Sequence, residues 1–351
     1  MLSHFRQYNK TDILSLTHTR KFETKLGEIV SCSMVDDMEA TLKATTARYI
    51  IFGIPEDIGV KANLGKGGAD SAWFPFLDSF LNIQSNDFLS GENVLVAGHF
   101  DFNEEQKLIN VNAATEEEKI IAYRVLVSKI DEEVEEIVKM ITQSQKIPII
   151  IGGGHNNAYP ALKGAAKGLY KSELVPLAQI NCVNLDSHTD YRPVEGRHSG
   201  NSFRYADQDG YLNKYCVIGV HENYLQQNVW IDIVNNPFTD FITYEDIFIH
   251  EKQNFIQAVS HATSFTDDNY TGIELDLDSI ENVLSSAMTP SGITALNARR
   301  YMNFVGIASK VAYVHICEGA TKLSTGDTDS TTGKLISYLV SDFIKSHSRV
   351  K

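Results

Sequence analysis

Cysteine is scarce in this chain: there are four in 351 residues, and no two form a CxxC pair. Cys32, Cys182, Cys216 and Cys317 lie far apart, mostly inside apolar runs such as NCVNL and YCVIGV. That distribution excludes a disulfide framework and a thiolate zinc site, and it predicts buried free thiols in a reducing compartment. Basic residues are also few, with 31 Lys and Arg against 45 Asp and Glu, a formal net charge of -14. So acidic a chain lacks the positive patches that nucleic acid or an anionic membrane surface requires. No apolar run approaches bilayer-spanning length, and the N-terminal MLSHFRQYNKTD has no apolar core of the kind a signal peptide carries. A cytoplasmic location is expected. Repeats, low-complexity tracts and proline-rich linkers are missing too, which predicts one main domain over 47–351, with residues 1–46 as an extension packed on it.

What is present reads as an α/β protein. Hydrophobic residues make up 43% and charged residues 22%, enough apolar material for a large core and too little charge for disorder. About eight short apolar strands follow one another: RYIIFGI, NVLVAGHFD, IIIGG, INCVNL, YCVIGV, FITY, GIELDL and VAYVHIC. Helical segments separate many of them. A long helix is predicted from Thr115 to Ser144, opened by a Thr115/Glu118 capping box and carrying a buried stripe of Val134, Ile137, Val138 and Ile141. Shorter helices are expected around DDMEATLKAT, in a segment with Pro75 in its first turn and Leu77 and Phe80 on its buried side, over AYPALKGAAKGLY and over GKLISYLVSDFIKS. Continuous apolar strands with helical crossovers predict a mostly parallel sheet covered on both faces, a three-layer α/β/α fold. Ligands of such sheets bind beyond the carboxyl ends of the strands.

Three of those ends carry metal-type ligands. Asp186, His188 and Asp190 in DSHTD occupy alternate positions after INCVNL, so they project to one side of an extended segment. His155 follows IPIIIGGG, and Asp276 and Asp278 lie in ELDLD. Any one of these patterns also arises from polar residues capping a strand. Three in one chain offer two histidines and four aspartates, a set suited to two hard or borderline divalent ions. The run Gly152–Gly154 lacks the GxGxxG spacing of a dinucleotide loop and is better used for close backbone approach around His155.

GGGH, DSHTD and ELDLD, in this order and spacing, resemble the signature motifs of the ureohydrolase superfamily of arginases, agmatinases and formimidoylglutamases. FGIPEDIGVKANLGKGGADSAW resembles that family's first glycine-rich loop, so the likeness covers roughly residues 48 to 345. It implies an eight-stranded arginase-like sheet and two Mn2+ per subunit. One ion would take His155, Asp186, Asp190 and Asp276, and the other Asp186, His188, Asp276 and Asp278. The ions would turn a shared water into the nucleophile for an amidine or guanidine carbon, with Asp190 carrying the proton to the departing amine. Glu318, in VHICEGA, aligns with the family's substrate-orienting glutamate; its plainer reading is a strand-capping surface residue. The family usually assembles as homo-oligomers.

Departures from the arginase pattern point to a branch. In HSGNSF, Ser199, Gly200 and Asn201 keep the family's SGN, but Phe203 stands where arginases carry a proton-transferring histidine. GGGH in place of GGDH, with Arg192 in DSHTDYRP and Arg204 in SGNSFR, resembles the formimidoylglutamases. The expected reaction is then N-formimino-L-glutamate plus water to L-glutamate and formamide, in histidine degradation. Its dicarboxylate substrate makes Arg192 and Arg204, then Arg197 and Lys61, candidates for the glutamate end, with Asn201 and Phe203 lining the same pocket. The alternatives are a urea-releasing arginase, agmatinase or guanidinase, or a catalytically silent metal-binding homologue. Ser279, Ile280, Glu281 and Asn282 replace the family's usual Asp-Pro segment, which leaves the ligands intact and alters the pocket side. His198 is a second candidate for proton transfer, and His221 for a pocket wall. His99 with Asp101 reads mainly as a satisfied strand end.

Overall fold

The computed structural model describes residues 2–33 and 37–349. Its strands are β1 Phe5–Gln7, β2 Tyr49–Gly53, β3 Val94–Phe100, β4 Ile147–Ile151, β5 Ile180–Leu185, β6 Leu212–Val220, β7 Thr239–Thr243, β8 Thr271–Asp276 and β9 Val311–Cys317. They form one sheet in the order β1-β3-β2-β4-β9-β8-β5-β6-β7. Every pairing is parallel except β1 with β3. The strands β2, β3, β4, β5, β8 and β9 are buried along their whole length, which is why they read as unbroken apolar runs.

The sheet has nine strands, one more than expected. The extra strand, FRQ, is three residues long and only half-buried, too short and too polar to show an alternation. Phe5 pairs with Phe100 and Gln7 with Gly98. Gly98 has a φ of 145°, and a Cβ there would lie 2.0 Å from the Arg6 carbonyl, so only glycine lets this edge pair form.

Both faces are covered by helices. One face packs against helices Trp73–Leu81, Ala295–Ala308 and Thr332–His347, with Trp73, Phe76, Tyr301 and Phe343 fully buried between them. The other packs against Glu116–Gln143 and Ala158–Lys171. The Thr115/Glu118 capping box forms, and Val134, Ile137, Val138 and Ile141 are all buried. Helix Met38–Ala44 is capped by the Asp37 carboxylate; Asp36, at the start of the segment expected to be helical, lies outside the described residues. Among the described residues, no helix is long and apolar enough to cross a membrane.

Candidate metal centre

The strand order decides what the ligand-bearing ends can do. β4, β9, β8 and β5 are consecutive neighbours, so the segments after them converge at one edge although they are far apart in sequence. His155 opens a short 3-10 turn after β4, and Gly152 and Gly153 supply positive φ for the approach. Asp276 ends β8, Asp278 follows in a 3-10 turn, and the DSHTD loop leaves β5.

Two groups result. His155, Asp186, Asp190 and Asp276 place one ligand atom each within 4.8 Å of the others, and Asp186, His188 and Asp278 do the same. His155 Nδ1 lies 3.2 Å from Asp186 Oδ2, 2.8 Å from Asp190 Oδ2 and 3.1 Å from Asp276 Oδ2. His188 Nδ1 lies 3.6 Å from Asp186 Oδ1 and 3.3 Å from Asp278 Oδ2. Asp186 thus belongs to both groups. Asp276, expected in both, joins the first alone: Oδ2 turns to His155 while Oδ1 accepts from the Asp278 amide at 2.8 Å.

These residues fit a cation. Both ring nitrogens of His155 are buried without a hydrogen-bond partner, although three carboxylate oxygens surround Nδ1. Buried polar atoms are rarely left that way in proteins. The carboxylates are also crowded. Burial and the charges of Asp278 and Asp186 push Asp276 well above the ordinary aspartate range, and burial and Asp186 raise Asp190. Burial would raise Asp186 as well, but the neighbouring His155 and His188 side chains hold it below that range. An oxygen-rich set with two imidazoles suits a hard or borderline divalent ion.

Glu318 sits beside them and is buried, not the exposed strand cap of the plainer reading. Its backbone takes a φ of 61°, Oε1 accepts from the His155 amide at 2.9 Å, and Ser286 Oγ donates to Oε2 at 3.3 Å. Burial, then the charge of Asp278, pushes its carboxyl up to about 8.

A cavity of about 280 Å³ opens onto this edge, lined by His188, Asp190, Asp276, Asp278 and Glu318 on one side and by Asn63, Arg192, Ser199, Gly200, Tyr224 and Gln226 on the other. Arg192 is the one lysine or arginine on its wall among the described residues. Asn63 Oδ1 holds it at 2.7 Å, and its Nε is buried without a partner.

The other expected pocket residues lie elsewhere. Arg204 binds Asp232 and stacks 4.0 Å over the Tyr191 ring, away from the cavity. Arg197 is buried in an ion pair with Asp131 at 2.8 Å, and it also donates to Asn201 Oδ1 at 2.9 Å and to the Asn156 carbonyl at 2.6 Å. Asn201 is therefore a loop brace, wholly buried and donating to the Gly196 carbonyl. Lys61 pairs with Asp57 at 2.7 Å. Phe203 is fully buried behind the ligands, 5.4 Å from the His155 ring and 4.3 Å from that of Tyr215. Phe203 and Arg204 belong to the helix Ser202–Gln208 that follows SGN, whereas Arg197 and Asn201 brace the loop before it and Lys61 is held by its own helix.

His198 caps the SGN turn through the Gly200 amide at 3.1 Å, and burial with Arg192 and Arg124 nearby holds it down to about 4. That role leaves it no place in the cavity wall. His221 stacks between Tyr224 and Tyr244 behind the wall. His99 is a satisfied strand end, bonded to Tyr8 Oη at 2.8 Å. Sequence reading missed Asn63, Tyr224, Gln226 and Ser286 because they sit in loops without a pattern. Tyr224, which stacks on the His188 ring at 5.1 Å, had one signal: it follows the end of β6 beside His221.

A model of the arginase family matches residues 47–343. A formimidoylglutamase of Streptococcus pyogenes serotype M6 is 31% identical over 139 residues, which is 38% of this chain and 41% of that protein. One from Psychrobacter cryohalolentis is 27% identical over 226 residues, 60% of this chain and 62% of that protein. The matches thus span less than two thirds of either relative. The solved structure of formimidoylglutamase from Bacillus subtilis superposes with a TM-score of 0.73 at 15% identity, covering 95% of each chain. Trypanosoma cruzi formiminoglutamase with Mn2+ gives a TM-score of 0.70 at 19% identity over 94% of this chain and 100% of that one. At those identities the structural likeness is one of fold.

Proposed function

Because this chain belongs to the arginase family, we propose that it is a hydrolase of C–N bonds in linear amidines, acting on N-formimino-L-glutamate to give L-glutamate and formamide. The observation that carries the reading is the pair of ligand groups sharing Asp186 at the edge of a cavity that also holds Glu318 and Arg192. His155, Asp186, Asp190 and Asp276 would hold one divalent ion, and Asp186, His188 and Asp278 the other, with manganese the metal the oxygen-rich set favours. Such a pair, when bound, supplies a hydroxide nucleophile at neutral pH.

The chain's own residues then do the rest. Glu318, fixed through both oxygens, binds the cationic formimino group; entry of that cation favours the ionised carboxylate despite burial and aims the sp2 carbon at the ligand groups. Asp190, on the cavity wall, carries the proton to the leaving amine. Arg192, the arginine on the cavity wall, takes a carboxylate of the glutamate end. In this reading the enzyme works in the cytoplasm, as a homo-oligomer, in histidine degradation.

A mouth with one arginine also suits a substrate with one carboxylate, so urea-releasing hydrolysis of a guanidine such as arginine is the second reading. The test is a manganese-reconstituted assay over formiminoglutamate, arginine, agmatine, guanidinobutyrate and guanidine, with formamide and urea measured separately. Formamide from formiminoglutamate is expected. Urea from arginine would establish the second reading instead, and no turnover of any member would favour a silent metal-binding homologue.

A further inference from the structure

We propose that Glu274 is a positioning residue that fixes the His155 imidazole with Nδ1 toward the carboxylates of the first ligand group. The inference rests on reading that group as a metal site. Glu274 lies on β8 two residues before Asp276, so both side chains leave the same face of the sheet. It is fully buried, and no lysine or arginine pairs with it among the described residues.

Three groups converge on its carboxylate instead. Tyr313 Oη donates to Oε1 at 2.7 Å, His315 Nδ1 lies 2.7 Å from Oε2, and His155 Nε2 faces that same Oε2 at 3.5 Å. The β8–β9 register sets Glu274 directly beside His315. Cys317 also lies near this ring edge, but it is a neutral thiol whose Sγ is directed to the Leu275 carbonyl at 3.8 Å. Glu274 is therefore the charged acceptor on the Nε2 side. A carboxylate that draws the N–H to one ring nitrogen leaves the lone pair on the other, and outer carboxylates of this type set ring orientation and ligand basicity in metal sites. Tyr313 and His315 hold the carboxylate in place for that task.

Glutamine at this position has the same shape but one acceptor oxygen. Its amide N–H would confront one of the three converging groups, loosening the His155 ring. The test is titration of the metal-free full chain with Mn2+, with free Mn2+ read by electron paramagnetic resonance. Wild type is expected to show two sites. Glu274→Gln weakens one of them by about 10–100-fold and leaves the other within about threefold, and combining it with His155→Ala adds nothing to His155→Ala alone. Tyr313→Phe, which removes one support and conserves the packing, shifts the same site in the same direction by a smaller factor, so the idea stays testable if Glu274→Gln fails to fold.

Unchanged affinities in Glu274→Gln or Tyr313→Phe, equal weakening of both sites, or effects that add to those of His155→Ala would overturn the role of Glu274. A wild-type chain that takes up no Mn2+ would overturn the metal reading beneath it.

Discussion

Asp190 Oδ2 comes within 2.8 Å of His155 Nδ1 although the Asp190 backbone holds a φ of 45°. Left-handed backbone at a residue with a side chain costs about 1–2 kcal/mol, and aspartate is among the side chains that tolerate it. Glu318, the other residue assigned to the reaction, also has positive φ, at 61°. Both carboxylates stand on backbone that a loop chosen for stability would avoid, a pattern found where site geometry outweighs local preference.

Asp190→Asn keeps the tolerance for this φ and removes the proton-carrying oxygen. We expect kcat to fall by about 10²–10⁴, with a thermal unfolding midpoint close to wild type. Steady-state rates beside calorimetry check it. Activity within tenfold of wild type would remove Asp190 from proton transfer.

Asp276→Asn should trade stability against function. Burial, with the charges of Asp278 and Asp186, already raises this carboxyl in the metal-free protein. Removing it relieves that crowding, so the metal-free variant should melt higher than wild type. Metal content by elemental analysis should fall, and activity with it. A lower melting point in the metal-free state would contradict the crowding argument.

Arg192→Ala and Arg204→Ala should behave differently. Loss of a charge-assisted contact costs about 1.5–3 kcal/mol, so Arg192→Ala should raise KM for formiminoglutamate by about 10–100-fold with little change in kcat. Arg204→Ala should leave KM within about threefold and lose only stability, on the order of 0.5–1 kcal/mol from the stacked Tyr191 contact. Equal KM effects would show that cavity lining does not decide which arginine meets substrate.

Phe203→His restores the residue that arginases carry at this position and should not restore their chemistry. Phe203 is fully buried against Tyr215 and His155. A histidine there would bury ring nitrogens without a polar partner, at a cost of about 1–3 kcal/mol or more. Urea formation from arginine by this variant would show that the side chain reaches the cavity.

Acid should destabilise the fold through its buried histidines. Burial, aided by Arg6 beside His99 and Arg48 beside His347, holds both near 4, against an ordinary 6.5. Between pH 6.5 and 4 the unfolded chain binds protons that the folded chain refuses, so stability falls as pH drops through this window. Each site contributes on the order of 1–2 kcal/mol after solvent screening. His347→Phe loses the hydrogen bond to Tyr49 but should flatten the decline in urea unfolding between pH 6.5 and 4.5; an unchanged slope would exclude His347 as a source.

The amino-acid sequence by itself determined most of the elements and the identity of the ligands. Fully buried parallel strands are continuous apolar runs, and the histidines and aspartates lie within a few residues of the strand ends, so both are local signals. β5 and β9 were legible to the residue, and so was the capping box of the long helix. Only the tertiary structure decided the rest. The order β4-β9-β8-β5, set by how crossover helices pack, brings together ends that sequence separation conceals. The loop around SGN buries Asn201 and Phe203, turns Arg204 to Asp232 and leaves Arg192 on the cavity, a matter of side-chain direction in a loop without a repeat. Glu274, two residues before Asp276 in ELDLD, carries no local signal of a role. Its meaning comes from His155, Tyr313 and His315, which chain packing places around it.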